Sequence, residues 1–339
     1  MNIFNQKKTS DIIGIDVGLY SIKAVELSQY QNNTKLVAYS EHTHNSVDGL
    51  SPKKLYKNIS TLLNDPILGR FQSKKINISF PSNTSQNHFV TFNSKNKTDK
   101  ERQIQEFITT KLNLDLSDYY FDNHLVSNNQ NKQVHMIEVI KRSYLDRFNQ
   151  YIQSAGLEIS SVKSSGAVQL SNLIDQNQSG VILIDIGHNT TRLLFCHNSN
   201  CIEQRIDFGG DTVSSAISLE FGISSQKSIE LQKNVGIYGS KLADKINILV
   251  KDKLNEFISS IREFVNECSD IFDIEKSSEF QIYLTGSLVS MMGFSKFLQN
   301  NLNNPVNVVD PWKNISLYPL KPIPKYRLPK YASAIALAS

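Results

Sequence analysis

The feature that most constrains the fold is a short motif that occurs twice in the chain. An apolar, β-branched run leads into Asp16-Val17-Gly18, and a second such run leads into Asp185-Ile186-Gly187. Each pattern is typical of a buried strand, a tight turn and a returning strand. In both halves two further strands and then a helix are predicted after the turn. A repeat of this kind indicates an internal duplication of one supersecondary unit.

The residues around the first turn supply groups that suit a phosphate ligand. Gly18 lets backbone N–H groups approach a ligand closely because it has no side chain. Ser21 and Lys23 are two residues apart on the returning strand, so we expect them on the same face. A carboxylate, exposed N–H groups, a hydroxyl and an ammonium together match a metal-bound phosphate. Asp-x-Gly turns also occur in ordinary hairpins, so the first motif alone leaves both interpretations open.

Composition excludes several classes of protein. The chain has 339 residues, of which 40% are hydrophobic, and this is enough to bury a sizeable core. The net charge of +4 is modest and no long basic stripe occurs, so no nucleic-acid partner is predicted. No uncharged apolar run is long enough to cross a membrane. Cys196, Cys201 and Cys268 fit neither a disulfide framework nor a zinc site, so we predict buried free thiols.

Hydrophobic periodicity predicts the order of the helices and strands. One helix is predicted to begin at Pro52 with Ser51 as its N-cap, and Gly209-Gly210-Asp211 to open another. One long helix, or two in series, is predicted from about Ser225 to Asp273, and a short helix closes the chain at Tyr331–Ala338. The strands predicted in the two halves are Ile12–Val17, Tyr20–Leu27, Lys35–Tyr39 and Lys75–Phe80, then a run from Val181, Thr191–Cys196, Glu203–Phe208 and Phe280–Leu284.

The sequence divides into three predicted parts. From about residue 86 the pattern becomes strand, helix, strand, strand and helix, which is typical of a small α+β module inserted into a larger fold. The predicted parts are lobe 1 (1–85 with 159–177 and 311–339), the inserted module (86–158) and lobe 2 (178–310, with a helical subdomain at about 225–277).

Several segments, in this order, resemble the nucleotide-binding motifs of the actin-like ATPase superfamily. They are Asp16-Val17-Gly18 with Ser21-Ile22-Lys23, Asp185-Ile186-Gly187 with Thr191, Phe208-Gly209-Gly210-Asp211, and Thr285-Gly286-Ser287. Within that superfamily the chain is similar, over nearly its whole length, to the PilM family of type IV pilus assembly proteins, which is related to the division protein FtsA. The resemblance implies an α/β, ribonuclease H-like duplicated fold with an inserted FtsA-like α+β module.

The resemblance also implies a site for ATP and Mg²⁺. Two carboxylates that face one another across the phosphates would repel without a cation, so Asp16 and Asp185 are the implied metal ligands. His188, inside the second turn, is either a phosphate contact or a solvated loop residue. The implied nucleotide-binding residues are Asp16, Gly18, Ser21, Lys23, Gly187, Thr191, Gly209, Gly210, Glu230, Lys233, Gly286 and Ser287.

Two departures from the superfamily pattern bear on affinity and catalysis. The family has consecutive glycines where this chain has Ser287 and Leu288. We expect the Cβ atom of Ser287 to leave less room for the nucleotide to approach the backbone, and Leu288 to adopt an unfavourable backbone conformation. The turn Lys163–Ala167 lacks the Gln or Glu that orients the attacking water in superfamily ATPases. Positioned acid–base help is worth about 10²–10⁴ in rate, so at most slow hydrolysis is expected and no catalytic residue is assigned.

The implied function is that of a cytoplasmic, ATP-binding scaffold of the type IV pilus, the organelle of twitching motility. Its implied partners are the N-terminal peptide of a PilN-like inner-membrane protein and other pilus assembly proteins, and the peptide would be held by the inserted module and the groove beside it. The chain would then associate with the inner membrane through its partner.

Three alternative functions fit the sequence less well than the pilus function. An FtsA-like division protein would need its own membrane helix, and no basic amphipathic segment follows the closing helix at Ser339. A sugar-kinase-like enzyme would need a catalytic Asp beside Gly209-Gly210, where Asp211 stands, and the inserted module disfavours it. A cytoplasmic component of a type II secretion system is disfavoured only by the lack of a following membrane span.

Overall fold

The structure is a computed structural model, and the chain in it divides into two compact units. Unit 1 comprises Met1–Gln169, Pro311–Ile323 and Ser333–Ser339, and unit 2 comprises Leu170–Asp310 and Pro324–Ala332. The residues that the structure describes are 12–30, 33–44, 50–81, 84–92, 97–129, 132–163, 180–197, 200–274, 280–302, 304–318, 320–321, 323 and 329–339.

The main sheet of unit 1 is built around the strand that carries Asp16. Its strands are β1 (Ile12–Val17), β2 (Ser21–Tyr30), β3 (Asn33–Thr43), β4 (Leu68–Gly69), β5 (Lys75–Ser79), β9 (Glu158–Lys163) and β15 (Ile315–Ser316). The order is β15-β3-β2-β1-β5-β9, and β4 pairs with β3. β1, β2 and β3 form an antiparallel meander, whereas β5 and β9 continue the sheet in parallel. Parallel pairing of β1 with β5 places Asp16 beside Ser79.

Helix α1 (Pro52–Asn64) covers β2 and β3 and begins where the sequence predicts. The Ser51 side chain accepts a hydrogen bond from the Lys54 amide, and Pro52 occupies the first turn. Leu55 and Ile59 on the buried face of α1 join the apolar core of the sheet.

The closing helix of the chain packs directly on β1. A Cβ atom on Gly14 would lie 2.1 Å from the carbonyl oxygen of Ala334, so only glycine allows the contact. The Asn77 side chain donates a hydrogen bond of 2.8 Å to the carbonyl of Leu337. The helix that makes these contacts, Ala332–Ala338, follows a 3₁₀ turn and fixes the strand that carries Asp16.

Between β5 and β9 lies a small α+β segment with the element order that the sequence predicts. Its elements are β6 (Ser85–Phe92), α2 (Lys97–Glu106) with a π-helical turn at Phe107–Lys111, β7 (Tyr119–Asn129), β8 (Lys132–Lys141) and α3 (Arg142–Ser154). The strands pair in the order β6-β8-β7. Ile104 and Ile108 pack with residues of this sheet in a small core of their own. Phe148 and Ile152 of α3 belong instead to the core of the main sheet, so the segment shares its last helix with the rest of unit 1.

Unit 2 repeats the arrangement of strands seen in unit 1. Its strands are β10 (Val181–Ile186), β11 (Thr191–His197), β12 (Asn200–Ile206), β13 (Gln281–Gly286) and β14 (Val306–Val308). They pair in the order β12-β11-β10-β13-β14, with an antiparallel meander followed by two parallel strands. The same order, β3-β2-β1-β5-β9, runs through the sheet of unit 1. The duplication predicted from the two Asp-x-Gly motifs is therefore confirmed.

The helices of unit 2 pack against its sheet and contribute to its core. They are α4 (Gly210–Phe221), α5 (Ser225–Asn234), α6 (Lys241–Phe272) and α7 (Phe294–Leu302), so the helical block from Ser225 is two helices in series. On the buried face of α6, Phe257 stacks on Phe208 with ring centroids 4.1 Å apart. The final helix of the chain, Ala332–Ala338, is α8. Within the described residues, no helix is both long enough and apolar enough to span a membrane.

The cysteines differ from the prediction. Cys268 is a free, buried thiol as expected, and burial raises its pKa well above the usual range. Cys196 is disulfide-bonded, so the prediction of a free thiol is wrong there. The backbone register of the β11–β12 hairpin sets Cys196 opposite Cys201, whose side chain lies outside the part of the chain that the structure describes.

Candidate functional site

The first Asp-x-Gly turn joins β1 to β2 and is closed by a single backbone hydrogen bond. The Gly18 amide donates to the carbonyl oxygen of Ser21 at 3.0 Å. A Cβ atom on Gly18 would lie 3.0 Å from that same oxygen, so a larger residue would have to displace it by a few tenths of an ångström. Gly18 therefore favours the compact turn.

The Asp16 carboxylate is held from two sides. Its side chain is nearly buried, and the Ser79 hydroxyl donates to Oδ1 at 2.9 Å. The Lys23 ammonium lies 4.0 Å from Oδ2, across the β1–β2 ladder. Ser21 is buried at the start of β2. The structure thus brings Asp16, Gly18, Ser21 and Lys23 together at one turn, as the sequence indicates.

The second turn, between β10 and β11, has the same construction. The Gly187 amide donates to the carbonyl oxygen of Thr190 at 3.0 Å, and a Cβ atom on Gly187 would lie 2.8 Å from that oxygen. The chain leading into α4 is bonded onto this turn, because the Gly210 amide donates to the Gly187 carbonyl at 3.0 Å. A Cβ atom on Gly209 would meet the His188 carbonyl oxygen at 2.3 Å. The absence of side chains at Gly187, Gly209 and Gly210 therefore lets the turn and the start of α4 pack closely, and Gly209 and Gly210 are buried.

The Asp185 carboxylate lies between a guanidinium and a second glycine turn. Arg192 Nη2 is 3.2 Å from Asp185 Oδ2, and both side chains are mostly buried. Gly286, at the end of β13, has a φ of +95°. A Cβ atom there would lie 2.7 Å from Asp185 Oδ1 and 2.3 Å from the carbonyl oxygen of Ile186. Glycine at 286 is thus required both by its left-handed backbone and by its closeness to the aspartate.

Comparison of the two turns identifies residues that sequence reasoning missed. The acceptor that closes each turn is Ser21 in unit 1 and Thr190 in unit 2. The residue opposite the aspartate in the ladder is Lys23 in unit 1 and Arg192 in unit 2. Thr190 and Arg192 are therefore the counterparts of Ser21 and Lys23. The signal was present in the sequence, because both basic residues follow their aspartates at the same spacing.

Two side chains near the second turn are committed to contacts within unit 2. Thr191 is fully buried, and its hydroxyl donates to the Phe208 carbonyl at 2.7 Å. This bond ties the start of β11 to the chain that leads into α4. His188 is not a solvated loop residue, since its side chain is only 19% exposed and its Nε2 lies 3.8 Å from Asp211 Oδ1.

Helix α5 carries Glu230 and Lys233, which the resemblance assigns to the nucleoside. Glu230 and Lys233 are both exposed, and within the described residues neither forms an ion pair. Gln232, one residue away and buried, donates through Nε2 to the carbonyl of Gly210 at 3.0 Å. Gln232 therefore supports the glycine segment from behind, whereas Glu230 and Lys233 face solvent.

The segment after β13 differs from one expectation. Ser287 is half-buried with an ordinary right-handed backbone, and Leu288 is buried in a short 3₁₀ turn. Leu288 is not among the residues with positive φ in the described part of the chain. The expected unfavourable backbone at Leu288 is therefore wrong, because Gly286 alone takes the left-handed conformation that starts the turn.

The donor set for a metal is small. In the part of the chain that the structure describes, no three His, Cys, Asp or Glu side chains are grouped so as to hold a metal ion. Asp16 and Asp185 each have a basic neighbour, and each is a single carboxylate within its own unit. Such carboxylates suit Mg²⁺, which is held by one or two carboxylates together with phosphate oxygens and water. The turn Lys163–Ala167, apart from Lys163, lies outside the described residues.

Comparison with known proteins places this geometry in context. The family described as type IV pilus assembly protein PilM matches residues 14–339. The chain is similar to the structure titled PilM-PilN type IV pilus biogenesis complex, with a TM-score of 0.77 and 16% identity over 96% of this chain and 97% of that chain. It is similar to EutJ of Carboxydothermus hydrogenoformans, with a TM-score of 0.55 and 14% identity over 98% and 91% of the two chains. It is also similar to MreB 5 of Spiroplasma citri bound to AMPPNP, with a TM-score of 0.53 and 11% identity over 97% and 95%.

These likenesses first define a class: the chain has the actin-like ATPase fold, as the repeated Asp-x-Gly units indicate. The family match then covers nearly the whole sequence. The chain belongs to the PilM family of type IV pilus assembly proteins.

Proposed function

We propose that this chain is an ATP-binding scaffold of type IV pilus assembly that holds the N-terminal cytoplasmic peptide of a PilN-like inner-membrane protein. Family membership supports the role in the pilus, and the likeness to a PilM-PilN complex supports the partner. In this proposal the chain is cytoplasmic and reaches the inner membrane, and other pilus assembly proteins, through that partner.

The observation that supports nucleotide binding is that the same turn occurs in both units. Each copy has a glycine turn and an aspartate with a basic residue opposite it. Amide N–H groups and basic side chains are the groups that bind phosphate. We therefore assign phosphate binding to the turns at Gly18 and Gly187, with Lys23 and Arg192 as their cations.

The remaining predicted site residues divide by their placement. The glycines at 209, 210 and 286 are buried beside the second turn, where the lack of side chains lets the chain pack closely, and we propose that they shape the nucleotide site. Asp16 or Asp185 would hold Mg²⁺ together with phosphate oxygens, and the ion would neutralise phosphate charge. Glu230 and Lys233 remain candidates for the nucleoside only as exposed residues of α5.

A recess in unit 1 is the proposed peptide site. It lies beside the first turn and is lined by Leu19, Leu50, Pro81 and Tyr144, with Tyr144 coming from α3. The Tyr144 hydroxyl donates to the Leu50 carbonyl at 2.8 Å, and burial raises the pKa of Tyr144 to about 12, so the hydroxyl keeps its proton. The recess encloses only about 10 Å³, and Gly18, His44 and Thr84 also line it, so we propose that an extended peptide lies across it rather than inserting a side chain.

Binding of a fluorescent N-terminal peptide of the PilN-like partner tests the scaffold function. Leu19→Glu places a charge at the recess, and we expect it to weaken binding at least about tenfold because a desolvated carboxylate replaces apolar contact. Leu125→Glu is the matched control, since Leu125 is 50% exposed on β7 of the same unit. No peptide binding by the wild type would contradict the scaffold function. Loss of peptide binding in Leu125→Glu but not in Leu19→Glu would instead assign the peptide site to β7.

Hydrolysis of ATP is proposed to be slow or absent. The basis is the sequence of the turn Lys163–Ala167, which has no Gln or Glu to orient water. Phosphate release measured under saturating ATP tests this directly. Turnover as fast as about 1 s⁻¹, in the range of ordinary enzymes, would overturn the proposal.

A further inference from the structure

A buried histidine holds the first Asp-x-Gly turn from outside the hairpin. His44 follows the end of β3, and its side chain is almost fully buried. Its ring nitrogen Nε2 lies 3.0 Å from the carbonyl oxygen of Gly18, and its own amide donates to the Tyr20 carbonyl at 2.8 Å. Backbone and side chain of His44 thus both hold the β1–β2 turn.

The contact with Gly18 fixes the chemical form of the ring. A carbonyl oxygen only accepts, so Nε2 carries the proton and Nδ1 is left as an acceptor. Nδ1 of His44 is buried and has no hydrogen-bond partner. Burying an unpaired acceptor is unfavourable. The ring orientation is therefore explained by the bond to Gly18.

The second turn shows the same carbonyl held by a different donor. The counterpart of the Gly18 carbonyl is that of Gly187, and it accepts a 3.0 Å hydrogen bond from the Gly210 amide. Gly210 follows the third strand of its meander, β12, just as His44 follows β3. Unit 1 thus obtains from a side chain the hydrogen bond that unit 2 obtains from its backbone. Two independent solutions for one carbonyl indicate that its orientation matters.

The planarity of the peptide bond links this carbonyl to the ligand. The carbonyl of Gly18 and the amide N–H of Leu19 belong to one peptide plane and point in opposite directions. Holding the carbonyl therefore holds the Leu19 N–H in the opposite direction. We propose that His44 is a positioning residue that orients the Leu19 N–H of the first turn for phosphate.

The inference rests on the proposed nucleotide binding, and four purified variants test it. His44→Leu removes the donor, and His44→Asn carries an amide too short to reach the Nε2 position. His44→Gln carries an amide that reaches it and is the conservative rescue. His42→Gln, on the same strand, is the control. Each protein is checked for folding by thermal unfolding, and then its ATP affinity and the hydrogen exchange of the Leu19 amide are measured.

The expected result is a pattern across the variants. His44→Leu and His44→Asn weaken ATP binding by about three- to tenfold, the value of one hydrogen bond, and speed exchange at Leu19. His44→Gln restores both, and His42→Gln changes neither. If His44→Leu does not fold, the comparison of His44→Asn with His44→Gln still shows whether an amide that reaches the Gly18 carbonyl restores ATP affinity and slow exchange at Leu19.

Two outcomes overturn the inference and are distinguishable. Unchanged ATP affinity and Leu19 exchange in His44→Asn, with ATP still bound by the wild type, would overturn the role of His44 alone. Absence of ATP binding in the wild type would overturn the nucleotide function and the inference together.

Discussion

Replacement of Arg192 with glutamine tests whether Arg192 in the second turn has the role of Lys23 in the first. Arg192 and Asp185 are 3.2 Å apart, with side chains 17% and 12% exposed. At an effective dielectric of about 20 their attraction is about 5 kcal/mol before desolvation is counted. Exposed pairs retain about 0–1 kcal/mol and breaking a fully buried pair costs about 3–5 kcal/mol. For this partly buried pair we expect Arg192→Gln to lower the free energy of unfolding by about 1–2 kcal/mol.

A double-mutant cycle separates this loss from any effect on ATP. Asp185→Asn removes the charge that Arg192 faces, so the double variant is expected to lose less stability than the two single variants combined. ATP affinity should fall by about ten- to hundredfold in Arg192→Gln because a charge-assisted contact to phosphate is removed. Stability is measured by urea unfolding and affinity by calorimetric titration.

Arg205→Gln is the matched control. Arg205 lies opposite Arg192 in the β11–β12 ladder and forms its own ion pair, 3.4 Å from Glu203. We expect a comparable loss of stability with little change in ATP affinity. Equal weakening of ATP binding by Arg192→Gln and Arg205→Gln would refute the assignment of Arg192 to phosphate. Additive stability losses in the cycle would refute the ion pair.

Three further predictions concern stability. Gly14→Ala should lower the free energy of unfolding by about 3 kcal/mol, because its Cβ would lie 2.1 Å from a backbone oxygen of α8. Glu26→Gln should cost about 2 kcal/mol, because this fully buried carboxylate accepts hydrogen bonds of 2.7 and 3.0 Å from two backbone amides. Burial lowers the pKa of His44 and of His88 below the ordinary 6.5, so the unfolded chain binds more protons than the folded one as pH falls. The two histidines therefore contribute their full stabilisation above pH 6.5, and this contribution is lost as the pH falls through the lowered pKa values. Unfolding in urea should accordingly become easier from about pH 7.5 to about pH 5.5.

Each of these has a control. Gly156→Ala meets open space, so only its left-handed backbone should cost stability, about 1 kcal/mol, and an equal loss in Gly14→Ala would count against the packing of α8 on β1. A Glu26→Gln variant as stable as the wild type would show that the second carboxylate oxygen is not needed as an acceptor. His44→Gln should flatten the pH dependence, and an unchanged slope would remove His44 as a source of it.

Much of the fold follows from the sequence because its signals are local. The β-branched run before Asp16, the Ser51-Pro52 helix start and the helical block from Ser225 each depend on short-range preferences, and the structure has each element where it was predicted. The division into lobe 1, inserted module and lobe 2 at residues 85, 158 and 178 stays a prediction. Phe148, on the last helix of the predicted module, packs in the core of the main sheet.

The site was harder to predict because it depends on strand register. The sequence indicates Thr191 as the hydroxyl beyond Gly187. The β10–β11 ladder, however, sets Thr191 opposite Ile186, and its hydroxyl donates to the Phe208 carbonyl. A shift of one residue turns a side chain to the other face of a sheet, and this shift separates Thr191 from Thr190. The disulfide at Cys196 is likewise not predictable from the sequence, because such a bond depends on which residues the fold brings together.

The most direct test of nucleotide binding is the free energy of unfolding of the wild-type chain with and without ATP and Mg²⁺. If the two repeated turns hold a nucleotide, ATP at about 100 times its dissociation constant should raise that free energy by about 2.7 kcal/mol. Lys23→Gln and Arg192→Gln should each reduce the rise at the same ATP concentration. No change in wild-type stability at millimolar ATP would contradict the claim that these turns bind phosphate.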